Sequence, residues 1–290
     1  MKVCGFSFIK NAIKYDYPIV EAIVSVLPIC DKFIVAVGKS EDATLNLIND
    51  ISPDKIEIIE TVWDDSIREG GKVLAEETNK AFQAIPDDFD WCFYIQGDEA
   101  VHEKYLPIIR NAMQDNLDNR VVDGLLFKYL HFYGSYDYVG ESFRWYRNEI
   151  RIIRNNKKIY SFRDAQGFRK DNNKMLHVKQ IDAYIYHYGW VKDPRAMQMK
   201  QKDFNKLWHD DEWIEKNIAE TEEFNYSEID VLRRFNGTHP AVMTNRIKRK
   251  NWKFDYDLSF NKPKTKDKVK KFLEIFGFSF GQYKNYKLLK

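Results

Sequence analysis

Only three of the 290 residues are cysteine, an odd number and too few for a disulfide framework. Cys4, Cys30 and Cys92 all lie in apolar runs, so they read as buried free thiols in a reducing compartment. No stretch of 18 uninterrupted apolar residues occurs, and no transmembrane helix is expected. The apolar start is broken by Lys10 and Lys14, with no small-residue cleavage site after it, so no secretory signal is expected either. Together these absences point to a cytoplasmic protein. Gly-x-Gly-x-x-Gly after the first apolar run is missing, as is Gly-x-x-x-x-Gly-Lys-Ser/Thr, which argues against dinucleotide enzymes and P-loop NTPases. There is no Gly-x-Ser-x-Gly elbow of an α/β-hydrolase. Zinc-spaced Cys/His clusters, internal repeats and low-complexity segments are absent too. Net charge is only +2, so the whole molecule is no polyanion binder and no nucleic-acid partner is expected.

That small net charge hides an asymmetry. From Arg246 to Lys290 there are 14 Lys/Arg against 4 Asp/Glu, which leaves an acidic body and a basic tail. Apolar, β-rich runs alternate with helical spacing through the first hundred residues. Strands are predicted over 2–9, 32–37, 55–60 and from Trp91, with helices over 17–26, 43–50 and 72–84. Such alternation implies parallel βαβ units and an α/β fold with a Rossmann-like, mostly parallel sheet. The pattern then changes. A helix over 106–113 is followed by strands over 124–132, 149–154, 158–162, 176–180 and 183–191. Pro194 opens a helical region to about Arg234, and Lys264 to Phe276 reads as a basic amphipathic helix. The predicted division is a first domain over 1–191, whose pattern changes near residue 100, then a helical extension over 192–290.

Residues 91–99, Trp-Cys-Phe-Tyr-Ile-Gln-Gly-Asp-Glu, are the centre of this pattern. A buried strand ends abruptly in carboxylates, and ligands of open α/β sheets bind beyond the carboxyl ends of strands. Asp98 is therefore expected to hold a divalent cation that neutralises a diphosphate; the plainer alternative is an acidic turn. Gly70-Gly71 before a helix, with Arg68 and Lys72, is a second phosphate candidate, since helix N-termini favour anions. The alternative there is an ordinary helix start. Aromatic residues crowd the stretch from Tyr129 to Tyr146; Tyr133, Tyr136 and Trp145 are candidates for an acceptor-sugar platform, with core packing the alternative. The basic tail either docks on an anionic inner leaflet or packs on the body with its lysines solvated.

The ordered set of Trp63, Asn79 and Gln96-Gly97-Asp98-Glu99 resembles glycosyltransferase family 2, of the GT-A fold. Within it the likeness is to enzymes of bacterial lipopolysaccharide-core and surface-glycan assembly, over roughly residues 3–190. The resemblance implies an inverting, hexosyl-type transfer from a nucleotide-diphosphate sugar to a glycan or lipid-linked acceptor, assisted by Mn²⁺ or Mg²⁺. It makes residues 1–191 a catalytic domain with a nucleotide half (1–100) and an acceptor half (101–191). It places the donor against Phe8, Asn11, Ser40, Asp42, Arg68, Gly70, Gly71, Lys72, Asn79, Gln96 and Gly97. The metal falls to Asp98 and to His187, which otherwise reads as a core histidine of an aromatic strand. Asp164 is implied as the general base, with Asp137 in reserve; Arg163 and Arg169 offer Asp164 an ion-pair role instead. Two departures stand out. Gln96 replaces the usual first acid, and Val37-Gly38-Lys39-Ser40-Glu41-Asp42 lacks the leading acidic pair common in the family. Rival readings are a sugar nucleotidyltransferase and a non-catalytic glycan-binding protein on a decayed transferase fold.

Overall fold

The structure is a computed structural model that describes residues 1–290 except 219, 220, 228, 230, 262–264, 266, 268, 271 and 273–284. Its first half alternates β1 (Val3–Ile9), α1 (Ile19–Val26), β2 (Lys32–Gly38), α2 (Thr44–Asn49), β3 (Ile56–Thr61), α3 (Lys72–Gln83) and β4 (Trp91–Tyr94). These four strands lie parallel in the order β3-β2-β1-β4. Period-two alternation sends Val3, Phe33, Val35, Trp91 and Phe93 to the face covered by α1. Cys4, Phe6, Ile34, Cys92 and Tyr94 go to the other face, under Ala81 and Phe82 of α3. A sheet covered on both faces explains why β1, β2 and β4 read as unbroken apolar runs. Gly5 is needed for this packing, because a Cβ there would sit 2.2 Å from the Phe33 ring.

After β4 come β5 (Glu99–Val101), α4 (Leu106–Asp115), β6 (Gly124–Tyr133), β7 (Ser135–Gly140), β8 (Asn148–Arg154), β9 (Ile159–Phe162), β10 (Gly167–Lys170) and β11 (Lys174–Trp190). The sheet continues β4-β8-β6-β11-β10-β9, with β8 antiparallel to both β4 and β6, and β6 parallel to β11. The class is α/β, as expected of a GT-A fold, with helices flanking a sheet whose first four strands are parallel and whose remainder is mixed. Two predicted strands over 176–180 and 183–191 are one 17-residue strand, β11, whose pairing with β6 shifts register between Gln180 and Tyr184. The predicted helical region after Pro194 is α5 (Pro194–Asn205) and α6 (Asp211–Asn217), and it closes with a strand, β12 (Leu232–Arg234), paired to β7. Near the C-terminus β13 (Tyr286–Leu288) pairs with β11. Most of the predicted tail helix over 264–276 lies outside the described residues. No helix among the described residues is long and apolar enough to cross a membrane. Cys4, Cys30 and Cys92 are all buried and free.

One buried ion pair pins the two halves of the sheet together. Arg151 of β8 places Nη2 2.8 Å from Glu99 Oε1 and Nε 2.9 Å from Oε2, and both side chains are fully buried. Tyr129 donates to the same carboxylate at 2.7 Å. Removing one partner of a buried pair leaves an uncompensated charge, so Arg151→Met is expected to lower unfolding free energy by about 3–5 kcal/mol. Urea unfolding of Arg151→Met beside the double variant Glu99→Leu/Arg151→Met checks this: the double variant is expected to recover most of the loss.

Candidate active site

The carboxyl ends of the parallel strands and the end of β11 open into one cleft of 760 Å³. Phe8 at the end of β1, Asn11 after it, Trp63 and Arg68 after β3, and Gln96 to Asp98 after β4 form one side. Trp145, Asp164 and His187 face them, and α5 closes the cleft with Lys200 and Phe204. Trp63 packs its ring 5.9 Å from Phe8 and carries Lys10 Nζ 5.3 Å from its centroid. Among the described residues its indole N–H is buried with no hydrogen-bond partner.

The acidic motif divides its two carboxylates between structure and cleft. β4 ends at Tyr94, and the chain turns so that Glu99 N donates to Gln96 O at 3.1 Å. Glu99 then pairs opposite His187 in the antiparallel β5–β11 ladder. That pairing carries Glu99 inward to Arg151 and sets His187 beside Asp98. Asp98 Oδ1 lies 3.7 Å from His187 Nε2, and Oδ2 lies 3.4 Å from Lys200 Nζ. Lys200 also donates to Gly189 O at 3.2 Å. Burial alone would raise the Asp98 carboxyl; the positive charges facing it, above all those of Lys200 and Lys192 when His187 is neutral, outweigh it and keep it below its ordinary value. Asp98 is therefore ionised throughout the neutral range. Gln96 is held away from this role, donating at 3.2 Å to both Tyr94 Oη and Ala165 O.

These residues fit a divalent ion. A carboxylate oxygen and an imidazole nitrogen face one another, a donor set suited to Mn²⁺. Gly189 keeps the gap open, since a Cβ there would sit 2.7 Å from Asp98 Oδ2 and 2.8 Å from His187 Nε2. Among the described residues no three His, Cys, Asp or Glu side chains converge to hold a metal by themselves. Two protein ligands with phosphate oxygens and water completing the shell is a common arrangement at nucleotide sites. Gly189→Ala is expected to weaken Mn²⁺ binding by about 10–100-fold, the scale seen when the support of a ligand is disturbed. Titration calorimetry with Mn²⁺ in the presence of a nucleoside diphosphate reads this directly.

Asp164 reaches the same cleft from a sharp turn between β9 and β10. Its neighbours Arg163 and Ala165 both adopt left-handed backbone, φ 56° and 61°. Gly71 lets this turn approach, because a Cβ at Gly71 would lie 2.9 Å from Asp164 Cβ and 2.7 Å from the Trp208 ring. Burial raises the Asp164 carboxyl above its ordinary value. Trp145 lines the cleft, stacked at 5.1 Å on His131.

Several residues expected at the donor site stand elsewhere. Asn79 spends its whole amide on β9, donating to Ser161 O at 3.2 Å and accepting from Ser161 N at 2.6 Å. Ser40 accepts from Asn11 N and donates to Gly38 O, while Asp42 accepts from Lys14 N and Thr44 N; both fasten the loops after β1 and β2. The Gly70–Lys72 segment is no anion nest. Gly71 N–H is taken by Leu207 O at 3.1 Å, Lys72 N–H by Glu69 O, and the Lys72 ammonium by the Glu69 carboxylate. Gly70 faces open space. Arg68 does line the cleft but pairs with Asp211 at 2.8 Å. Asp137 is exposed on β7 and accepts from Ser135 Oγ, away from the cleft walls. Tyr133 and Tyr136 are buried, packed on Trp190 and Tyr188, so they are core and not a platform.

Lys200, Lys192 and His131 were not anticipated from the sequence. Lys200 breaks the buried stripe of α5 formed by Met197 and Phe204, and a lysine on a buried helix face is a readable anomaly. Lys192 is fully buried, donates to Asp16 O at 2.6 Å and stacks on Tyr17. Burial holds its ammonium well below the usual lysine range.

No family model matches this chain, and no curated protein matches its sequence. Solved structures do. The chain is similar to S. aureus TarS at 16% identity and TM-score 0.41, over 77% of this chain and 41% of that one. It is similar to glucosyl-3-phosphoglycerate synthase from Mycobacterium tuberculosis, solved with Mn²⁺, uridine diphosphate and phosphoglyceric acid. Here identity is 17% and the TM-score 0.30, over 45% of this chain and 43% of that one. A third is the galactosyltransferase LgtC with donor and acceptor sugar analogs, at 14% identity and TM-score 0.31, over 44% and 46%. The chain thus spans less than half the length of each.

Proposed function

We propose that this protein is an inverting GT-A glycosyltransferase of the family-2 type, moving a hexosyl unit from a nucleotide-diphosphate sugar to a glycan or lipid-linked acceptor. The observation that carries this reading is the placement of Asp98 against His187 at the carboxyl edge of the parallel half-sheet, in one cleft with a buried Asp164. Asp98 and His187 would hold Mn²⁺ or Mg²⁺, which supplies Lewis-acid stabilisation of the departing diphosphate. Lys200, between Asp98 and Gly189 O, adds a fixed positive charge on the same side. Phe8, Asn11 and Trp63 offer two aromatic faces and an amide to the nucleoside. Trp145 offers an apolar face to the acceptor sugar.

The transfer balances with one base. Asp164 takes the proton of the acceptor hydroxyl as its oxygen bonds to the anomeric carbon. The bond from that carbon to the diphosphate oxygen breaks, and its electron pair leaves with the diphosphate. Attack from the face opposite the leaving group inverts the centre. Residues 1–191 form the catalytic domain in this reading and 192–290 an extension, with surface-polysaccharide or lipopolysaccharide assembly at the cytoplasmic face of the membrane as the setting. Calorimetry with uridine, cytidine, guanosine and thymidine diphosphates, with and without Mn²⁺, tests the reading. One nucleotide is expected to bind, more tightly with the metal; a protein that binds glycans and no nucleotide overturns it.

A further inference from the structure

The proposed metal ligand His187 is useful only if Nε2 carries a lone pair, and the residues behind it decide that. His131 lies opposite His187 in the β6–β11 ladder. Its Nε2 sits 2.7 Å from the backbone carbonyl of Tyr146. A carbonyl oxygen only accepts, so His131 must donate from Nε2. In a neutral ring its Nδ1 is then an acceptor. His187 Nδ1 stands 3.2 Å from it and must be the donor. That leaves His187 Nε2 bare, aimed at Asp98 Oδ1 from 3.7 Å, a separation beyond hydrogen-bond range. Two electron-rich atoms face each other across the gap that Gly189 keeps open. Such an arrangement favours a cation between them.

The His131 ring has little freedom to do otherwise. It is stacked between Tyr129 at 5.4 Å and Trp145 at 5.1 Å, with Tyr146 edge-on at 4.4 Å. Both rings are buried among aromatic side chains, a setting that disfavours the charged form. We propose that His131 is a positioning residue: relaying the Tyr146 carbonyl to His187, it fixes the His187 proton on Nδ1 and presents Nε2 to the cation site. The tautomer stands on hydrogen bonds between two buried rings; its use for a metal rests on the functional reading above. Outer hydrogen bonds of this kind typically change metal affinity about 10–100-fold.

Two measurements test it. Nitrogen-15 spectra of the metal-free protein, with its six histidines labelled and His187 assigned by its loss in His187→Gln, report the proton position. The expected signature is Nδ1–H for His187 and Nε2–H for His131; an Nε2–H tautomer at His187 overturns the relay. Mn²⁺ titration followed by electron paramagnetic resonance then compares the wild type with His131→Phe, which keeps an aromatic ring and loses both nitrogens. The expected result is affinity weakened about 10–100-fold at a temperature where a melt shows the metal-free variant still folded. Equal affinities overturn the positioning role. If the wild type binds no Mn²⁺ at all, the metal reading fails, while the tautomer spectrum still judges the relay.

Discussion

Replacing Asp98 by Asn is expected to lower the transfer rate by roughly 10²–10⁴-fold while leaving the fold intact. Asn keeps the shape and one carbonyl oxygen but removes the charge that an ion between Asp98 and His187 needs. Stabilising a departing diphosphate in this way is worth several kcal/mol, and each 1.36 kcal/mol is a factor of about ten. A competing effect must be separated from it. Asp98 is also the counter-charge of the buried Lys200, at 3.4 Å, so the variant is expected to lose some stability as well. A thermal melt measures that loss alone. The distinguishing reading is a melt with nucleoside diphosphate and Mn²⁺. Ligand stabilisation follows RT ln(1 + [L]/K_d), so the wild-type upshift should vanish in Asp98→Asn. A variant that keeps both the upshift and full transfer would remove Asp98 from the mechanism.

Asp164→Asn is expected to reduce kcat by about 10²–10⁴-fold, the usual contribution of a general base, with KM for the donor nearly unchanged. The pH profile carries the sharper test. A base must be ionised to accept a proton, and burial raises the Asp164 carboxyl above its ordinary value. Activity should therefore be full above that raised pKa and fall as pH drops through it, at higher pH than for an exposed aspartate. Asp98 does not produce this limb, because the charges beside it hold its carboxyl below the ordinary value. In Asp164→Asn the residual rate should lose the acid limb. If the limb survives unchanged, the base is another group.

The parallel half of the sheet was legible because its information is local. Each of β1, β2 and β4 announces itself by a short apolar run, and right-handed crossovers leave few ways to arrange them. Asp98 was legible for the same reason, as an acid at the end of such a run. Its neighbour Glu99 is also an acid but has a structural place. Only the distant pairing of β5 with β11, and Arg151 from β8, turns that carboxylate inward. The glycines at 70 and 71 read as a phosphate cradle, yet Gly71 serves contacts with Asp164 and Trp208, residues far along the chain. Asn79 was placed in the cleft by order along the sequence; its amide instead caps the edge of β9. The aromatic stretch was ambiguous because rings serve cores and platforms alike. Tyr133 and Tyr136 went to the core, and Trp145 alone of the three lines the cleft. The wall formed by α5 was not foreseen, although Lys200 on its buried face was a usable clue.

The turn that carries Asp164 holds two non-glycine residues, Arg163 and Ala165, at positive φ. Left-handed backbone costs such residues roughly 1–2 kcal/mol each. Glycine at either place would relieve that cost and widen the range of directions in which the carboxylate points. The chain has instead a buried alanine at 165, whose carbonyl is tied to Gln96. A tightly aimed carboxylate and a comfortable backbone make opposite demands on this turn. On the function proposed above, a glycine in this turn is expected to raise stability and lower the transfer rate together.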